Sequence, residues 1–173
     1  MLERVPATPP RPDRSWGLIN RTVIAEDGPN VRCAAPHPVL QLLSKQDLFA
    51  FDCDYWRMID GAYRGDVRVV ACITSGGASD DGFDRLRVRP LSSGRRVYKG
   101  SLGDPETFIY MSEPCEAENK SVRSAEQEVY EAKCGAELPR SHLKAPTQPA
   151  SKAWHVDALE FFPKLSAWVD ANG

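Results

Sequence analysis

No apolar run in the 173 residues approaches the roughly 20 that a membrane-spanning helix needs, so no membrane span is expected. Charge of one sign is lacking too. The 22 Lys and Arg residues nearly balance 24 Asp and Glu, giving a net charge of −2. The basic residues read as dispersed rather than striped along a face, so nucleic acid is not an expected partner. No Cys-x-x-Cys spacing occurs, which argues against a zinc ribbon or a thioredoxin-type centre. Cys33, His37 and Cys53 do not have the spacing of a metal centre either, and no metal is expected. The five cysteines (Cys33, Cys53, Cys72, Cys115 and Cys134) are odd in number, so at least one stays unpaired. They read as buried thiols or as one or two disulfides. The N-terminus has no positive n-region followed by an apolar h-region, so the numbered chain starts without a secretory leader. No internal repeat is visible.

The length and apolar content suit one domain with a sizeable core. Residues 1–15 hold the run Pro6 to Pro12, which cannot form helix or sheet ladder and reads as a flexible Pro-rich arm. Residues 16–173 form the expected domain. Leu18 to Ile24 alternates loosely as a short strand. Pro38 to Phe51 has Val39, Leu42 and Leu43 at helical spacing, with Ser44 and Asp47 restarting a cap before Leu48 and Phe49. Tyr63 to Ile73 carries Val67, Val69, Val70 and Ile73 and reads as a strand. The composition of residues 76–87 predicts a loop. Arg85 to Arg89 alternates like a half-buried strand, and Thr107 to Met111 is the strongest strand signal. Pro139 to Pro149 reads as loop. From Ala153 to Val169 an aromatic and aliphatic stripe recurs near helical spacing, interrupted by Pro163. Strands and helices interleave without regular alternation, so the expected class is α+β.

Two short segments carry the candidate chemistry. Tyr63-Arg64-Gly65-Asp66-Val67-Arg68 supplies an arginine followed two residues later by a carboxylate. Glu126-Gln127-Glu128-Val129 supplies two carboxylates at i and i+2. In a strand both would leave the backbone on one side; in a helix they diverge by about 200°. The helical alternative has its own signals. Ser124 to Gln127 fits a capping box, the stretch to Glu137 is rich in helix formers, and Gly135 would stop the helix. The extended arrangement suits cleavage of an N-glycosidic bond. One carboxylate would stabilise an oxocarbenium-like ribose, a second would ready a nucleophile, and the arginine fork would hold the anionic part of a dinucleotide.

In order, these segments resemble the cholera-toxin-like and pertussis-toxin-like mono-ADP-ribosyltransferases. That family has an aromatic-Arg-x-Asp-x-Arg strand, matched by Tyr63 to Arg68. A Ser-Thr-Ser strand start follows, then a strand resembled by Phe108-Ile109-Tyr110-Met111, and last Glu-x-Glu at Glu126 to Glu128. The resemblance covers residues 62 to 143. The Ser-Thr-Ser triplet is absent, and Ser92-Ser93 before Gly94-Arg95-Arg96 stands in for it better than Thr74-Ser75.

The resemblance implies a mixed β-sheet core with flanking helices and NAD as substrate. It places Arg64 on NAD, with Tyr63, Ser92 and Ser93 beside it. Glu128 would contact the nicotinamide ribose as catalytic glutamate. Glu126 would ready the acceptor on a target protein, typically an arginine side chain. Such a protein would be a toxin or effector, secreted or translocated into a host cell. The alternative is a non-enzymatic secreted or effector interaction domain. His37, His142 and His155 have no cysteine or serine partner at a recognisable spacing, so nucleophilic catalysis of the Ser-His or Cys-His kind is not expected.

Overall fold

The computed structural model describes residues 12–22, 36–74, 80–111, 116–139 and 158–172. Among these residues there is no strand; the elements are α1 (Pro12–Thr22), α2 (Pro36–Leu40), α3 (Lys45–Gly61), α4 (Gly65–Thr74), α5 (Asp80–Ser92), α6 (Arg95–Gly103), a 3-10 segment (Pro105–Tyr110), α7 (Glu116–Cys134), a second 3-10 segment (Ala158–Phe161) and α8 (Pro163–Asn172). The expected α+β class and its mixed sheet are therefore corrected to an all-α arrangement. No helix among the described residues is long and apolar enough to cross a membrane.

Two of the strand expectations fail for a physical reason visible in the packing. Arg85 to Arg89 is too short a window to separate a period of 2 from one of 3.6. In the wider window the buried positions are Phe83, Leu86, Arg87 and Leu91, close to i, i+3, i+4 and i+8, so the segment is α5. Tyr63 to Ile73 is β-branched, yet Val67, Val70 and Ala71 fall on one helical face and are all buried; packing overrides the propensity of isolated valines. Leu18 lies in α1, and residues 23 and 24 lie outside the described residues. Thr107 to Tyr110 falls in the first 3-10 segment, with Met111 just beyond it. The loop expected over residues 76–87 becomes α5 from Asp80 onward, and its earlier residues lie outside the described residues.

Other signals hold. The Ser44 hydroxyl accepts the Asp47 N–H at 3.1 Å and donates to the Asp47 carboxylate at 2.9 Å, opening α3. Gly135 stops α7 at φ +65°, its N–H donating to Glu131 O at 2.8 Å. Pro163 splits the tail by taking the first position of α8. The Pro-rich run up to residue 11 lies outside the described residues, as do His142, His155 and Trp154. So do Cys33 and Cys115; Cys53, Cys72 and Cys134 are free thiols.

α3 is the central helix. Phe51, Tyr55, Met58 and Ile59 pack with Trp16 and Ile19 of α1, Leu40, Leu91, Tyr98 and the Ala125 and Val129 face of α7. Its opposite side sets Phe49 and Cys53 against Leu138. A second cluster joins Val67 and Val70 of α4 to Phe83, Leu86, Phe108, Phe162 and Leu165. Each such side chain removed from water contributes about 1.5–3 kcal/mol before chain entropy is charged against it. The buried Glu106 carboxylate accepts the Leu165 N–H at 2.8 Å, capping α8 from a distant segment and fixing the end of this cluster.

Candidate anion-binding site

The two segments expected to share a face do not meet in the expected way. Glu126 and Glu128 both lie in α7, so their side chains point about 200° apart around its axis. Glu126 is buried at 1% exposure. Glu128 faces solvent, its carboxylate 2.8 Å from Nε2 of His37. Arg64 sits in the turn before α4. It donates to both oxygens of Asp66, at 3.0 and 2.5 Å, and to Leu102 O at 2.7 Å. Its fork is thus filled by a neighbouring carboxylate and by the end of α6, a fastening role. Tyr63 packs its ring on Phe83, 5.6 Å between centroids, and the Arg87 guanidinium lies 4.8 Å from the Tyr63 centroid. Ser92 is the last residue of α5. Ser93, just beyond it, donates weakly to Arg89 O at 3.4 Å.

Surface clefts among the described residues include two with polar walls. One, of about 380 Å³, lies between α2 and α7 and is lined by His37, Gln41, Glu128, Val129, Ala132 and Lys133. Its polar groups satisfy each other: His37 pairs with Glu128, and the Lys133 ammonium donates to Gln41 O at 2.9 Å. These are exposed fasteners of α2 on α7, each contributing no more than about 1 kcal/mol.

The other cleft, of about 480 Å³, is lined by Asn20, Ser93, Gly94, Arg95, Arg96 and Lys99. Local sequence builds it directly. Gly94 turns the chain from α5 into α6 at φ +88°, a left-handed conformation that favours glycine. A Cβ there would also come within 3.2 Å of the Asn20 amide oxygen. α1 is held against α6 by Trp16 on Tyr98, ring centroids 5.2 Å apart. One helical turn beyond Trp16, Asn20 therefore reaches Gly94. One turn before it, Asp13 pairs with Arg95 at 2.5 Å. Arg96 and Lys99 are exposed and have no ion-pair partner among the described residues.

The electrostatics of this cleft break a local rule. Arg95 and Arg96 occupy the first two positions of α6, whose first turn holds no acid and whose glycine cap supplies no side-chain acceptor. The N-terminal end of a helix dipole is positive, so each cation there costs about 0.3–1 kcal/mol. No carboxylate, imidazole or thiol is among the six lining residues. Among the described residues the cleft therefore concentrates positive charge.

The groups with displaced acidities lie elsewhere and are not poised for catalysis. Burial, reinforced by Asp52, pushes the Cys53 thiol up to about 11, so it is no thiolate at neutral pH. Burial and Asp60 push Tyr98 up to about 12, and its hydroxyl donates to Met58 O at 2.7 Å. Asp60 is raised by burial, against the lowering effect of Arg87. No group of His, Cys, Asp and Glu residues arranged to hold a metal occurs among the described residues.

Sequence reasoning missed Arg95, Arg96, Lys99, Asn20 and Asp13. The available signal was an Arg-Arg pair directly after Ser-Ser-Gly, at a helix start where acids are normal; with the segment before it read as a strand, that anomaly was invisible. No curated protein and no solved structure matches the chain. The family model described as "Protein of unknown function (DUF4240)" matches residues 11–132, from the approach to α1 through nearly all of α7 and across the whole basic cleft, so the chain belongs to that family.

Proposed function

We propose that the protein is a non-catalytic interaction domain that receives an anionic ligand in the cleft formed by the end of α1, the α5–α6 turn and the first turns of α6. The carrying observation is the placement of Arg95 and Arg96 at the positive end of a helix, with Lys99 about one turn on and, among the described residues, the carboxylate of Asp13 paired to Arg95. Charges set where they cost stability, with no core contact to explain them, mark sites kept for binding rather than folding. Transfer of ADP-ribose from NAD finds no support in this geometry. The Arg64 fork is taken by Asp66, and the two glutamates leave α7 on different sides.

Arg96→Gln tests the reading because it separates folding from binding. At constant ionic strength, low millimolar inorganic phosphate is expected to raise the Tm of the unaltered protein by mass action. In the variant most of that rise is lost. In chloride alone the variant is expected to be more stable by about 0.3–1 kcal/mol, since an ill-placed cation is gone. A phosphate-induced shift that persists undiminished in Arg96→Gln would contradict the proposal.

A further inference from the structure

We infer that the ligand presents a phosphate monoester dianion to this cleft, and that Asp13 is a tethered competitor for it. The inference rests on reading the cleft as an anion site. Among the described residues, three cations, Arg95, Arg96 and Lys99, are opposed by the carboxylate of Asp13, a surplus of two positive charges over these four side chains. A phosphate monoester carries about −1.5 to −2 at pH 7 and gathers three acceptor oxygens on one centre. Two guanidinium forks and an ammonium suit that shape better than a carboxylate, which has two oxygens in one plane.

Asn20 and Ser93 add uncharged polar groups to the wall. The volume of about 480 Å³ admits a phosphoryl group with a small organic remainder. No aromatic ring is among the described lining residues, which therefore offer no platform for a stacked base. A phosphodiester, with one charge per group, leaves half of the surplus unmet at any one phosphorus. These features point away from nucleic acid and toward a free or peptide-borne monoester. Asp13 already holds the Arg95 fork at 2.5 Å, and it is 80% exposed on its side chain, so an incoming dianion displaces it without opening the core.

The test is a titration of the full chain at constant ionic strength and pH 7.5, followed by calorimetry. The probes are glycerol 3-phosphate, the peptide acetyl-Gly-phosphoSer-Gly-amide, succinate and dimethyl phosphate. At least one monoester is expected to bind about tenfold or more tighter than succinate or dimethyl phosphate, and to weaken as the pH falls through about 6, where the second proton returns to the ester. Binding of the sugar-type ester alone identifies a small molecule, binding of the peptide alone a phosphorylated segment; both support the monoester. Asp13→Asn is expected to tighten monoester binding several-fold, and unchanged or weaker binding would remove its role as competitor. If succinate or dimethyl phosphate binds as well as the monoesters, and Arg96→Gln abolishes that binding, the dianion inference is overturned while the anion cleft stands. If none of the four binds, both fall together.

Discussion

Arg87→Ala is expected to destabilise the fold by about 3–5 kcal/mol, the largest effect of any single charge removal considered. Arg87 is 7% exposed, and its guanidinium lies 4.8 Å from the centroid of Tyr63 and 5.3 Å from that of Phe83. It pairs with Asp84 and approaches Asp60 at 4.0 Å, with Ile59 O at 3.5 Å. One side chain thus fastens α5 to the end of α3 and to the aromatic pair beside α4. Truncation opens a cavity, forfeits two cation–π contacts at about 0.5–2 kcal/mol each, and leaves Asp60 without its nearest cation. Arg87→Met gives up the guanidinium's polar and cation–π contacts but keeps most of the volume and opens no large cavity, so a smaller loss of about 1–2 kcal/mol is expected. Urea unfolding measures both. A loss under 1 kcal/mol in the alanine variant would show that the stack carries no weight.

Gly61→Ala is expected to cost about 1–3 kcal/mol, against the usual gain when alanine replaces glycine in a helix. A Cβ at Gly61 would lie 2.6 Å from the Tyr98 hydroxyl oxygen, and that hydroxyl is anchored to Met58 O at 2.7 Å. The ring carbon bearing it is 3.9 Å away, an ordinary contact. The hydroxyl is therefore the whole obstacle. Tyr98→Phe alone is expected to lose about 0.5–1.5 kcal/mol with its hydrogen bond. In that background Gly61→Ala should change sign and stabilise by about 0.5–1 kcal/mol, because only the helix-propensity gain remains. The double-mutant cycle measures this coupling. Additive losses would contradict the close approach.

Where the sequence is locally emphatic, it was legible. Ser44 with Asp47, Gly135 and Pro163 mark helix ends that chemistry demands, and each stands where the pattern placed it. The helical alternative for Glu126 to Glu128 was equally visible. Its start was misplaced because Ser124, a good cap in isolation, lies mid-helix in α7. The strand expectations failed where five-residue windows or runs of valine were read without their partners. Arg85 to Arg89 alternates in charge, yet Arg87 is inside and Arg85 outside because an aromatic pocket receives one of them. That pocket depends on Tyr63, in the turn before α4, which no local window contains. The basic cleft was hidden for the same reason. Asp13 and Asn20 are more than 70 residues from Arg95 in sequence, and tertiary packing such as the Trp16–Tyr98 contact brings their face of α1 to α6.

The most direct test of the anion-binding account is a map of backbone amide resonances during titration of the intact 173-residue chain with inorganic phosphate, repeated with NAD. Saturable movement is predicted at Asn20 and from Ser93 to Lys99, with Tyr63, Arg64, Glu126 and Glu128 unmoved by either ligand. Absence of saturable movement around Gly94, or movement by NAD centred on Arg64 and Glu128, would contradict it.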